Sequence, residues 1–264
     1  MSGPQRRREP LGGGWDSRTY LVDGRWIERE PRRPAVEAGL RTETRLMPWL
    51  APSLPLQVPV PRVVSERPLV VRHRRIRGAP IERLDETTGR RFGQFLLALH
   101  ARPVDYAVGL GVPDREQAVG SRVRLLTRLR ADVLGLLPGD LVAAGSALLD
   151  RVADYPIDTL MHGDLGPAHL LVHVGRLHGV IDWTDTGLGD AALDLSWGLH
   201  GSSAPFAAGV GDTYGVDPAT GQRARDWHLL GPWHEVLHGV DTQAPGFVIS
   251  GLAGAVARLS ADRL

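Results

Sequence analysis

The chain contains no cysteine. That excludes disulfides, thiolate metal sites and a cysteine nucleophile. Lysine is absent too: all 31 Lys and Arg positions are arginine. A mechanism that calls on a lysine must therefore use arginine here. No run approaches the ~18 apolar residues of a spanning helix. The basic start MSGPQRRREP has no apolar stretch behind it of the kind a secretory leader carries. There are no internal repeats and no low-complexity segment. The basic stretches are not interleaved with aromatic residues, so nucleic acid is not a favoured partner. These absences point to a cytoplasmic protein with no membrane partner.

What remains is ample for a core: 264 residues, 42% of them hydrophobic, enough for one large domain or two lobes. The net charge of +1 hides a division. Residues 1–100 hold 19 Arg against 11 Asp and Glu, a net of +8; residues 101–264 hold 12 Arg against 19 acids, a net of −7. A basic first part suits a polyanion such as nucleotide phosphate, and an acidic second part suits Mg²⁺ or a cationic partner. Solvated surfaces account for the same asymmetry.

LGGGWDSRTYLVDGRWIERE (11–30) reads as strand, turn, strand, with Asp23-Gly24 as the hairpin signal. Pro31 and Pro34 end the second strand. A helix is predicted from about Ala35 to Leu50 on the spacing of Val36, Leu40, Leu46 and Leu50. A proline-rich loop leads to strands near Val63-Val64 and over 66–73. From Gly78 the character changes to helix: 85–101, capped by Asp85 or Thr87, then segments around 114–134 and 139–153. The boundary between the two parts falls at Ile76–Gly78.

The stretch HGDLGPAHLLVHVGRLHGVIDW (162–183) has three readings. As a metal cage, His162, Asp164, His169 and His173 supply acceptable zinc ligands. Gly163, Gly166 and Pro167 break any single helix that would align them, and a cage leaves the first 100 residues without a role. As a turn between core strands it is unremarked except at Asp182. A carboxylate emerging from the apolar Gly-Val-Ile costs free energy unless it is paired or holds a cation. The third reading is phosphoryl transfer. Kinase catalytic loops run H-R-D-x4-N, then a strand pair, then D-F-G. Here His162-Gly163-Asp164 is followed by four residues and His169, then a hairpin, then Ile181-Asp182-Trp183. Asp164 would accept the proton of a substrate hydroxyl; His169 and Asp182 would hold Mg²⁺, although that ion prefers oxygen to an imidazole. The Gly12-Gly13-Gly14 triplet before Trp15-Asp16-Ser17 would cover the phosphates, or is a plain loop. Arg29 would bridge phosphate and Glu43 of the next helix if its strand is the third, which requires a strand near residues 5–11. Taken alone, Arg29 is an exposed strand-end charge.

Assembled, these segments resemble the aminoglycoside phosphotransferase family of small-molecule kinases. The resemblance spans nearly the whole chain, through LGGGWDSRTYLV, WIEREPRRP, the Glu43 helix, RRIRGAP, FLLALHA and HGDLGPAHLL to VIDWTDTGLGDAALDLSW. The HGD-x4-H, IDW and GD-x3-D combination is the specific part. Arg29, His169 and Trp183 look like the branch with macrolide phosphotransferases, and the histidine also looks like the 2''-type aminoglycoside enzymes. The resemblance implies an α+β, bilobal, protein-kinase-like fold with a small β-rich N-lobe (1–76) and a larger, mostly helical C-lobe (77–264). It implies ATP or GTP with Mg²⁺ between the lobes, Asp164 as catalytic aspartate and His169 and Asp182 as metal ligands. Arg29, Glu43, Gly13, Gly14 and Ser17 would surround the phosphates, and the base would meet main chain from Arg74 through Ile76 to Arg77. Asp194 would brace the catalytic loop. The acceptor would lie against the C-terminal helices at Asp190, Glu235 and Trp233. The acceptor implied is a cationic antibiotic, an aminoglycoside, macrolide or cyclic peptide. The alternatives are a metabolite kinase of the choline or fructosamine type, or a non-catalytic nucleotide-binding module if arginine cannot replace lysine.

Overall fold

The computed structural model describes residues 7–12 and 17–262. A five-stranded antiparallel sheet opens the chain: β1 (Arg8–Leu11), β2 (Ser17–Val22), β3 (Trp26–Pro31), then, after the helix α1 (Pro34–Leu50), β4 (Arg62–Glu66) and β5 (Leu69–Arg74). The strand order is β1-β2-β3-β5-β4. Asp23 and Gly24 both take positive φ, 52° and 66°, the turn whose twist matches a tight hairpin. A strand does precede the glycine triplet, so β3 is the third strand and Arg29 sits on it. Pro31 closes β3, while Pro34 opens α1, where its missing N–H costs nothing. Val36 and Leu40 of α1 pack on Leu69 and Val71 of β5. Glu43, three residues after Leu40, shares that face and is turned toward the sheet.

The rest of the chain is mostly helix: β6 (Ala79–Pro80), α2 (Glu86–His100), α3 (Val104–Gly109), α4 (Arg115–Asp132), α5 (Gly139–Ala153), β7 (Thr159–Met161), β8 (Leu170–His173), β9 (Arg176–Val180), β10 (Gly187–Gly189), α6 (Ala191–His200), α7 (Ala204–Tyr214), α8 (Pro218–Asp241) and α9 (Pro245–Ala261). Asp85 caps α2, its Oδ1 accepting from Thr88 N at 2.8 Å. α3 escapes the sequence reading because six residues hold too little periodicity to register. Where α2 crosses α7, a Cβ on Gly89 would stand 2.2 Å from the Phe206 carbonyl oxygen, so only glycine permits that approach. Phe92, Phe95, Trp183, Phe206 and Trp233 anchor one continuous core.

The small strands place the chemistry. β8 and β9 form a hairpin extended by β6, and β7 pairs with β10. The loop 162–164 leaves β7, His169 precedes β8, and Asp182 follows β9, so the turns around two small sheets bring these three stretches together. A sheet with one helix against a larger helical body is the two-lobed arrangement expected. Among the described residues no helix is long and apolar enough to cross a membrane.

Candidate active site

His162 is fully buried, and both its ring nitrogens are engaged. Its Nε2 lies 3.1 Å from the Ile181 carbonyl and its Nδ1 lies 3.3 Å from the Asp164 N–H. The ring is therefore neutral, donating through Nε2 and accepting at Nδ1. Burial, above all, pushes its pKa below the ordinary histidine value. Asp194 braces the same loop from α6. Its Oδ2 accepts from His162 N at 2.7 Å and its Oδ1 from Gly163 N at 2.9 Å. His100 Nε2 lies 3.2 Å from Oδ2 and turns its Nδ1 to the Tyr214 hydroxyl. Burial acts to raise the Asp194 carboxyl, but the hydrogen bond from His100 and that from the Gly163 N–H help to outweigh it, leaving the pKa below the usual carboxylate value. Gly163 takes φ 88°, and a Cβ there would meet the Asp185 carbonyl oxygen at 2.5 Å. A rigid loop thus presents an open Asp164 carboxylate, 58% exposed.

His169 completes the loop. Its Nδ1 donates to the Asp164 carbonyl at 2.6 Å, which leaves the Nε2 lone pair free to face Asp182 Oδ2 at 3.8 Å. Asp182 turns sharply, with φ 64°, a conformation aspartate tolerates better than most residues. Two ligands on one Mg²⁺ at about 2.05 Å stand about 2.9 Å apart when adjacent and about 4.1 Å when opposite. The 3.8 Å separation lies between the two, so a side-chain shift of about 1 Å would bring this nitrogen and oxygen to adjacent positions on one ion, a donor set of the kind a divalent ion accepts. Among the described residues no three His, Asp or Glu side chains form a ready-made cage. His162 has no free nitrogen, and His173 packs on His178 with ring centres 5.2 Å apart, so the cage of four fails.

Arg29 is only 12% exposed and not a stray strand-end charge. Its Nη1 lies 2.9 Å from both Glu43 oxygens, and its Nη2 donates to Thr184 Oγ1 at 2.6 Å. Thr184 in turn donates to Asp182 Oδ1 at 3.0 Å. Burial pushes the Glu43 carboxyl up; Arg29 pulls it back, and the charges of Asp182 and Asp185 add to the rise. Thr184 is a residue that the sequence reading missed, because a threonine two places after an aspartate reads as a turn.

The remaining expectations divide. Ser17 opens β2 with a buried hydroxyl that has no partner among the described residues. Gly13 and Gly14 lie outside the described residues. Arg74 and Ile76 line a crevice of about 500 Å³ with Trp26, Leu56 and Val58, and none of Asp164, His169 or Asp182 borders it. On the acceptor side two expectations need correction. Asp190 is 1% exposed; it caps α6 and takes Arg223 Nε and Trp227 Nε1 at 3.1 and 3.0 Å, so no oxygen is left for a substrate. Trp233 is 0% exposed, its ring enclosed in the core, and offers no face to a sugar. Glu235 stays accessible and accepts from Ser250 Oγ at 2.6 Å. Its neighbour His234 is exposed and close enough to Asp164 for their charges to interact. On α8 the buried Leu230, Trp233 and Leu237 define the core stripe, and His234 lies off it.

The profile of the phosphotransferase enzyme family matches residues 7–229. No curated protein sequence matches the chain. Among solved structures, an aminoglycoside 2'-phosphotransferase-IIIa in its GDP complex superposes with a TM-score of 0.82 at 21% identity, over 97% of this chain and 93% of that one. The macrolide 2'-phosphotransferase MphH from Brachybacterium faecium, an apoenzyme, gives 0.75 at 25% identity, over 95% and 91%. A macrolide 2'-phosphotransferase type I gives 0.74 at 26% identity, over 98% and 91%. Both branches named by the sequence resemblance are thus among the structural neighbours. The match over most of the chain settles the family: the protein is a kinase-like small-molecule O-phosphotransferase belonging to the phosphotransferase enzyme family.

Proposed function

We propose that the chain transfers the γ-phosphate of ATP or GTP, with Mg²⁺, to a hydroxyl of an antibiotic-like small molecule. The observation that supports this most is the open Asp164 carboxylate on a loop locked by His162 and Asp194, beside the facing pair His169 and Asp182. Asp164 takes the hydroxyl proton as that oxygen attacks the phosphorus. His169 and Asp182 would hold Mg²⁺, which when bound neutralises charge on the phosphate oxygens. Arg29, fixed by Glu43, keeps N–H groups to spare for the phosphates, since its fork has five donors. Ser17, which follows the glycine triplet in the sequence, would supply a hydroxyl to the phosphates, as Gly13 and Gly14 would their backbone N–H groups. The main chain at Arg74–Ile76 would receive the base. GDP in three of the neighbouring structures supports nucleotide use.

The acceptor wall favours a molecule with few ammonium groups. Asp190 is neutralised by Arg223, Asp226 by Arg151 at 2.8 Å, and Asp241 by Arg128 at 2.7 Å. Glu235 accepts the Ser250 hydroxyl and has no arginine partner among the described residues. One such carboxylate suits an acceptor with a single amino group, as in a macrolide, better than a polycation. The test is nucleotide consumption against aminoglycoside, macrolide and cyclic-peptide panels, with mass spectrometry for an added phosphate. Inertness toward every antibiotic together with turnover of a choline- or fructosamine-like metabolite would move the acceptor to the metabolite class. Nucleotide binding without any turnover would leave a binding module.

A further inference from the structure

Asp182 carries two oxygens with different surroundings. Oδ2 faces His169 Nε2 at 3.8 Å, while Oδ1 accepts the Thr184 hydroxyl at 3.0 Å. The same hydroxyl accepts from Arg29 Nη2 at 2.6 Å, and Arg29 Nη2 itself stands off from Asp182 Oδ1 at 3.8 Å. Thr184 therefore sits between a guanidinium and a carboxylate that would otherwise close on each other. A hydroxyl can donate once while accepting, and here both capacities are used in a fixed direction: Arg29 to Thr184 to Asp182.

We propose that Thr184 is a positioning residue for the divalent ion. It rests on the reading of Asp182 as a metal ligand. Two effects follow from the geometry. The hydroxyl fixes the rotation of the Asp182 carboxylate, so Oδ2 is the oxygen turned toward His169. It also occupies the space through which Arg29 could reach Oδ1. A direct fork between Arg29 and Asp182 would be a strong charge-assisted pair and would compete with the metal for that carboxylate. The all-arginine composition gives this spacer its purpose. A guanidinium has two terminal nitrogens, so while one holds Glu43 the other is free to reach Asp182, and Thr184 intercepts it. Partners that orient a metal ligand typically change metal affinity by about 10–100-fold when removed.

The test is direct titration of Mn²⁺, a spectroscopic stand-in for Mg²⁺, into the protein saturated with a non-hydrolysable nucleotide. Bound ion is read by electron paramagnetic resonance, so no turnover is required. Thr184→Val removes the hydroxyl at nearly constant shape; Thr184→Ser keeps it. We expect T184V to weaken Mn²⁺ binding about ten-fold or more, T184S to stay within about three-fold, and metal-free nucleotide affinity to hold in both. T184S also guards against misfolding of the valine variant, since weak metal binding by a folded T184S, shown by its thermal melt, would overturn the role of the hydroxyl. Wild-type Mn²⁺ affinity in T184V would overturn the proposal while leaving Asp182 as a ligand. Absence of Mn²⁺ binding in the wild-type protein would overturn both.

Discussion

Replacing Arg29 by lysine tests whether this chain uses the shape of the guanidinium or only its charge. Arg29 spans two partners, Glu43 through Nη1 and Thr184 through Nη2. A lysine carries one nitrogen on its arm. It can meet the buried Glu43 or the Thr184 hydroxyl, not both in these places. The ion pair survives, and one charge-assisted hydrogen bond is lost, a contribution of about 1.5–3 kcal/mol. Arg29→Lys should therefore fold and lose about 2 kcal/mol in urea unfolding. Its affinity for nucleotide should also fall, because an ammonium that holds Glu43 has fewer N–H groups left for the phosphates than the five-donor fork. Arg29→Met provides the contrast. It strands Glu43, 3% exposed, without its cation, a loss of about 3–5 kcal/mol. Urea unfolding and titration with a fluorescent nucleotide read both quantities. An Arg29→Lys variant equal to wild type in both would refute the reasoning that the fork matters.

Other outcomes follow from the same geometry. Gly163→Ala combines a strained φ of 88° with a Cβ 2.5 Å from the Asp185 carbonyl, so it should lose about 2–4 kcal/mol in thermal or urea unfolding. Asp194→Asn replaces an oxygen that accepts a loop N–H with a donor; about 2–4 kcal/mol of stability and most of the turnover should go, measured by melting and by nucleotide consumption. His73, in β5, is held neutral by burial, which pushes it down to about 4 from 6.5. The unfolded chain binds that proton more tightly. The stability from His73 is therefore whole above pH 6.5 and drains away as pH falls toward 4, by roughly 3 kcal/mol. Buried His162 acts in the same direction. Urea unfolding at pH 7 and pH 4.5 should show the fall, and equal stability at the two would contradict it.

The parts of this protein legible in its sequence are those set by short-range chemistry. Asp23-Gly24 announced a hairpin because both positions take positive φ. The HGD-x4-H spacing foretold the neighbourhood of Asp164 and His169, because a loop of four residues leaves little freedom. Arg29 opposite Glu43 followed from counting strands, once β1 is present. What stayed hidden depends on contacts between distant segments. Thr184 lies 155 residues from Arg29, and its hydrogen bond exists only in the fold. Asp190 looked like a substrate acid because acidity is visible and burial is not; Arg223 and Trp227, more than 30 residues on, claim it. Trp233 looked like a stacking platform for the same reason, and the fold encloses it.

The central claim is that Asp164 accepts the proton of the acceptor hydroxyl. The measurement that tests it most directly is Asp164→Asn, assayed for phosphate transfer to the best acceptor from the panel and, separately, for nucleotide affinity. The account predicts that kcat falls by at least about 100-fold, while the nucleotide Kd changes by less than about three-fold, because the base acts in the transition state. Near-normal kcat in Asp164→Asn, or a loss of transfer fully explained by lost nucleotide binding, would contradict it.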